Sequence, residues 1–200
     1  MICSLVDKSL YELSLSNVTL ETIKIVKESC PNISSLHIRF FSAKVQESRI
    51  IQYICTFPSL KILNIEDNDD CNAESLAKVL GDYLPTYVEY LNLDFCMDSP
   101  SFKYFIENCK ANLKRLLIQN LQHTLDVEFI SDHLVYVDKY QEVHNSLIVL
   151  GVDEGRYGWT RDQLEIINSI KNKGVEVVPM SELIESFYYC KYYYCKLFGN

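Results

Sequence analysis

Apolar positions recur along the chain in a six-residue phrase. An aliphatic residue is followed by two variable ones, a second aliphatic, one variable position and a third aliphatic. The phrase reads LYELSL from Leu10, ISSLHI from Ile33, LKILNI from Leu60, VEYLNL from Val88, LKRLLI from Leu113 and LIVLGV from Leu147. Successive starts lie 23, 27, 28, 25 and 34 residues apart, and a weaker seventh copy, VEVVPM, begins 28 residues later at Val175. The last two apolar positions are two residues apart, the spacing that puts side chains on one side of a β-strand. Leu13 and Leu15 are one such pair, Leu91 and Leu93 another. One short strand cannot bury its apolar face alone. Stacked copies form a parallel sheet over a continuous core, and parallel neighbours need a long crossover between them.

Helix signals occupy those intervals. NAESLAKVLGDYLP places Leu76, Val79, Leu80, Tyr83 and Leu84 on one face, with Asn72 as N-cap and Pro85 as the stop. SPSFKYFIENC offers Ser99 as cap, Pro100 at the first helical position, and Phe102, Phe105, Ile106 and Cys109 on one stripe. TRDQLEIINSIKNKG opens on a capping box, Thr160 with Gln163, and closes on Lys171, Lys173 and Gly174. Weaker helical patterns cover 20–29 and 44–55. The long interval, irregular at 122–145, mixes helical spacing (Phe129, Ile130, Leu134, Val137) with the β-like run LVYV, and reads as a longer helix plus a loop. An ordinary doubly wound sheet is the competing architecture, although it does not require a recurring phrase.

Repeats of 20–29 residues built on L-x-x-L-x-L-x-x-N/C are the pattern of leucine-rich repeats. Asn68 and Cys96 complete the ninth position of two copies. CPNISSLHI at 30–38 matches the phrase C-P-x-L-x-x-L-x-L through Cys30, Pro31, Ile33, Leu36 and Ile38, with Phe41 where a final cysteine would stand. Cys30, Cys55 and Cys109 each precede a strand phrase by three to five residues, at the end of a helix where a small apolar group fits beneath the turn. Over roughly residues 10–180 the chain resembles the cysteine-containing leucine-rich repeats of ribonuclease-inhibitor-like proteins, as in F-box proteins.

That resemblance implies an α/β leucine-rich-repeat solenoid over residues 1–180, with parallel strands on the concave face and helices on the convex face. Residues 181–200, rich in tyrosine, would form a terminal cap or tail. The family couples a substrate-binding repeat domain to a cullin-RING ubiquitin ligase through an F-box, for which the repeat start at Leu10 leaves no room here. The expected function is therefore protein–protein recognition as the substrate-binding part of such a ligase, with a ligase adaptor as further partner if an F-box exists upstream. The alternative is a standalone repeat scaffold without ubiquitin coupling.

Charge and composition narrow the remaining classes. Asp and Glu total 27 against 19 Lys and Arg, a formal charge of −8. That balance disfavours nucleic acid, whose binding needs clustered cations. No basic segment precedes an apolar run at the N-terminus, and no run approaches membrane-spanning length. A cytoplasmic or nuclear protein with no membrane partner is expected. Eight cysteines without a C-x2-C pair read as reduced, buried thiols rather than zinc ligands or a disulfide framework. The acidic stretch EDNDDCNAE at 66–74 lacks the glycine and alternating ligands of a calcium loop and reads as a solvated loop. The histidines 37, 123, 133 and 144 are scattered, and no nucleophile, phosphate-binding or zinc-protease motif occurs. No enzyme activity and no cofactor are expected.

Alternation also selects candidate binding residues. The third, fifth and seventh phrase positions point away from the buried leucines. Stacked in register, they give Ile62, Tyr90 and Arg115 in one row, Asn64 and Asn92 in the next, and Glu66, Asp94 and Gln119 beyond, flanked by His37 and Arg39.

Overall fold

Each predicted phrase becomes a strand. The computed structural model describes residues 9–40, 47–67, 73–119, 127–153 and 158–180. The strands are β1 (Glu12–Ser16), β2 (Ser35–Phe40), β3 (Ile62–Asp67), β4 (Tyr90–Asp94), β5 (Arg115–Gln119), β6 (Val149–Val152) and β7 (Glu176–Pro179). Between them lie α1 (Leu20–Ser29), α2 (Glu47–Ile54), α3 (Ala73–Tyr83), α4 (Ser99–Asn108), α5 (Val127–His144) and α6 (Arg161–Asn172). The seven strands form one parallel sheet in the order β1 to β7, each paired with its neighbours in the chain. A doubly wound sheet reverses its strand order at a switch point, and no reversal occurs here. Crossovers of one hand between sequential parallel strands deliver every helix to the same face. Each helix packs on the next, α1 on α2 through to α5 on α6.

The register aligns the phrases. Leu13, Leu36, Leu63, Leu91, Leu116 and Leu150 are successive Cα partners, and Leu15, Ile38, Ile65, Leu93, Ile118 and Val152 form the parallel row two residues on. Both rows pack with helix residues such as Ile23, Ile51, Leu80, Phe105, Val137 and Ile170 in one hydrophobic cluster. The entry to each strand repeats as well. The Tyr11 carbonyl accepts the N–H groups of Ser34 and Ser35 at 2.8 and 2.9 Å. The carbonyls of Ser34, Lys61, Glu89 and Lys114 each serve the following strand in the same way. These bonds pin one chain turn onto the previous one by backbone alone, which frees the side chains there from any sequence requirement.

The seventh copy departs from its expected register. Val177, not Val178, is the partner of Leu150, so this phrase effectively starts at Gly174. Val175, Val177 and Val178 are all apolar, and a strand apolar on both sides does not specify which of two adjacent registers it adopts. The α6 terminus makes the choice. Gly174, at φ +84°, turns the chain and its N–H bonds the Lys171 carbonyl, which sets where β7 begins.

The helices form where expected, with corrections at their ends and faces. In α3 the buried face is Leu76, Ala77, Leu80 and Gly81, followed by Leu84, while Tyr83 is exposed and Val79 lies at the margin. The small residues face inward because α4 approaches closely: a Cβ on Gly81 would sit 3.2 Å from Asn108 Cβ. Asn72 lies outside the described residues. The cap of α4 is Asp98 rather than Ser99, its carboxylate accepting the Ser101 N–H at 3.0 Å, which shifts Pro100 one position into the helix. Phe102, Phe105, Ile106 and Cys109 are buried as the stripe predicts. The Thr160–Gln163 capping box is present in both directions.

The irregular interval resolves as a helix of 18 residues, with LVYV inside it. Length there is absorbed by buried polar groups. The Tyr140 hydroxyl donates to the Ala111 carbonyl and accepts the Leu113 N–H, and the Gln141 side chain accepts the Leu147 N–H at 2.9 Å. His133, fully buried, stacks on Phe102 with ring centroids 4.4 Å apart, and its Nε2 lies 3.0 Å from the Met97 carbonyl.

Candidate interaction face

The ten residues singled out by alternation all lie on the sheet face turned away from the helices. Ile62, Tyr90 and Arg115 are successive partners across β3, β4 and β5. His37, Asn64 and Asn92 form the second row, and Arg39, Glu66, Asp94 and Gln119 the third. Arg115 is exposed and the others are half-buried. Parallel strands sit about 4.8 Å apart, so each row is a ladder of neighbouring side chains.

Electrostatics join the rows. Arg39 Nη2 lies 2.6 Å from Glu66 Oε2, and His37 Nε2 reaches the same oxygen at 3.2 Å. On the far side of the ring, His37 Nδ1 lies 3.4 Å from Ser14 Oγ of β1. Gln119 Nε2 donates to Asn92 Oδ1 at 2.9 Å, linking β5 to β4. The order hydroxyl–imidazole–carboxylate resembles a nucleophile relay. However, the tightest contact of Glu66 is to Arg39, and the long Ser14 contact is the weakest of the set. The arrangement serves to hold polar side chains upright on a strand face.

Tyr90 is half-buried on this face. Its hydroxyl is shut off from water without a hydrogen-bond partner, and burial pushes the phenol up to about 12 against the opposing effect of the Arg115 guanidinium.

Leu117 and Ser14 belong to the second row and were not among the residues expected there. The signal for Leu117 existed, since it occupies the fifth phrase position. Three consecutive aliphatic residues, Leu116 to Ile118, hide which one turns outward.

Cys30, Cys55 and Cys109 take no part in this face, whereas Cys96 is half-buried rather than buried as expected. Cys30 and Cys109 cap α1 and α4, Cys55 follows α2, and all three are buried in the helix-side core. Burial raises Cys30, pushes Cys55 up to about 12, where nearby Cys109 adds to it, and pushes Cys109 up to about 11. They are protonated, inert fillers. Cys3, Cys71, Cys190 and Cys195 lie outside the described residues, as do Asn68, His123 and most of the acidic stretch 66–74. Among the described residues no group of three or more His, Cys, Asp or Glu could hold a metal ion, and no helix is long and apolar enough to cross a membrane.

Comparison with protein-family models and with curated proteins returns no match for this chain.

Proposed function

We propose that the chain is a leucine-rich-repeat solenoid that recognises a protein partner through the helix-free face of its sheet. The observation that carries this reading is three aligned rows of mixed polar, charged and aromatic side chains, spanning β2 to β5, on a face that a purely structural sheet would bury or leave bland. The repeated strand entry, the sequential strand order and the helix-end cysteines support the repeat class. Curvature with strands inside and helices outside follows from packing helices, which are wider than strands, along one side only. The net charge of −8 favours a neutral or basic partner surface.

Service as the substrate-binding part of an F-box-type ubiquitin ligase is the assembly that the resemblance suggests. Affinity capture of the full chain, followed by mass spectrometry, tests both levels. A specific protein that is lost with Asn64→Arg, at the centre of the face, and retained with Lys78→Ala on α3 supports recognition by this face. Loss of the partner with both variants, or with neither, places the site elsewhere. Recovery of a cullin-ligase adaptor distinguishes ligase coupling from a standalone scaffold.

A further inference from the structure

The two edges of the sheet present unequal backbones. In β1 the Tyr11 carbonyl accepts the Ser35 N–H at 2.9 Å, and the Asn17 N–H donates to the Arg39 carbonyl at 3.0 Å, so the odd-numbered residues bond to β2. Backbone groups alternate in direction along a strand. The N–H and C=O groups of Glu12, Ser14 and Ser16 therefore point off the sheet. ELSLS has no proline, lysine or bulge, the devices that blunt such an edge. At the other end the Glu176 N–H donates to the Ile148 carbonyl at 2.8 Å, which turns Val177 and Pro179 outward. Proline has no N–H to give, so β7 offers a single outward donor. The side chains beside β1 are apolar as well. Leu10, Leu13, Leu15, Val18 and Val26 are only partly buried. Lys27 of α1 reaches towards Thr56 and Tyr53 on the α2 side. At 3.6 residues per turn this puts Ile25 and Ser29 on the opposite flank, with Thr22 and Val26 next to them. Ile25 is 48 % exposed. Glu21, Lys24 and Glu28 fall outside that flank. Among the described elements β1 pairs with β2 alone and α1 packs on α2.

We propose that this edge takes a second copy of the chain, the two β1 strands pairing antiparallel about a two-fold axis at Ser14. A two-fold interface requires one surface to complement itself, and this one does. Ser14 meets its own counterpart, and Glu12 of either copy lies opposite Ser16 of the other, so no like charges face each other across the strands. The outward groups of the three residues can exchange about six backbone hydrogen bonds, within the number a specific interface carries. Leu13 then lies opposite Leu15 on the helix side, beneath the uncharged flanks of the two α1 helices. Because Pro179 denies a comparable edge to β7, association stops at a closed pair and does not run on into a filament. The pairing joins two seven-stranded sheets into one. It carries the helix-free face across the axis, so that both copies present it on the same side. This inference concerns the chain alone and stands or falls separately from recognition of another protein.

Sedimentation velocity of the full chain over a concentration series is expected to show monomer passing to dimer and stopping there. Ser14→Pro removes the central outward N–H of each copy and leaves the β1–β2 bonds in place. It is expected to raise the dimer dissociation constant at least ten-fold, with the thermal midpoint of dilute protein unchanged. Cysteine variants test the register. Under mild oxidation Ser14→Cys is expected to link two chains through position 14, because directly opposed Cα atoms lie about 5.5 Å apart, within disulfide reach. Ser16→Cys is not, since its own counterpart lies about 13 Å along the strand; peptide mapping separates these links from native cysteines. A chain that stays monomeric, or that grows beyond a dimer, overturns the proposal. So does a folded Ser14→Pro variant that dimerises undiminished, equal linkage at 14 and 16, or none at 14. If Ser14→Pro does not fold, the linkage result decides.

Discussion

Glu66 is a meeting point on the candidate face, since Arg39 and His37 converge on one of its oxygens. These side chains are under one-third exposed, so solvent screens the pair only partly. Glu66→Ala is expected to lower stability by about 1 kcal/mol in urea denaturation, whereas Arg115→Ala, on an exposed residue, should leave the midpoint in place. Equal effects would show that the network does not hold the face. Buried thiols and phenols make a second prediction at this scale. Cys55, Tyr90 and Tyr140 are each pushed up to about 12, and Cys109 up to about 11, from ordinary values of 9.0 for thiols and 10.0 for phenols. The unfolded chain therefore releases these protons at lower pH than the folded one does. Their contribution to stability is complete below about pH 9 and is lost as pH rises from there towards 12. Urea midpoints measured from pH 7 to 11 should be flat at first and then fall; a flat profile throughout would contradict the burial. The sequence put Arg39 at the flank of the row containing Glu66 but could not show that they bond, because register positions Cα atoms while rotamers depend on neighbours.

At the scale of elements, helix starts offer a sharp contrast. Asp98 caps α4, while the Ser99 hydroxyl donates instead to Asp132 of α5 at 2.8 Å. Asp98→Ala should cost about 1 kcal/mol, and Ser99→Ala clearly less; the reverse order in thermal unfolding would restore Ser99 as the cap. Both residues are good caps, and a helix start is uncertain by a residue or two from the sequence. Close packing of α3 on α4 supplies another test. A Cβ on Gly81 would lie 3.4 Å from the Phe105 Cα, so Gly81→Leu should cost about 2–3 kcal/mol through overpacking, although leucine is the better helix former. A neutral or stabilising result would mean that the helices separate freely. No sequence pattern signals this close approach, since a glycine within a helical pattern reads as a weakness until the neighbouring helix is known.

For the whole molecule, stability rests on aligned apolar rows. Leu91 lies in the middle of the sheet between Leu63 and Leu116, fully buried. Leu91→Ala is expected to cost about 2–5 kcal/mol, and an unchanged thermal midpoint would contradict the register. The two ends of the sheet differ from the middle. Among the described residues β1 pairs only with β2, Leu13 and Leu15 are partly buried, and Tyr11 and Ile25 are exposed. Hydrogen exchange should be faster in β1 than in β4, as fewer apolar contacts resist opening. Stronger protection in β1 than in β4 would show that another surface covers this edge.

By itself the sequence determined what is local and periodic. Six phrases specify six strands and their alignment, because the recurring phrase repeats the same apolar positions in each copy, even where a run such as Leu116 to Ile118 blurs the alternation. The stripes of α4 and α6 likewise follow from spacing and capping chemistry alone, to within a residue. Only the tertiary structure decided the features that depend on a neighbour distant in the chain. The β7 register followed from the turn that ends α6, since valines on both sides left the alternation ambiguous. The LVYV run became helix because Val137 and Tyr140 could then reach the core and the turn before β5. The burial of Leu117 and of the Tyr90 hydroxyl depends on neighbours outside their own strands, and no pattern in β4 or β5 encodes that. Periodicity records the side a residue faces, and packing determines what it meets there.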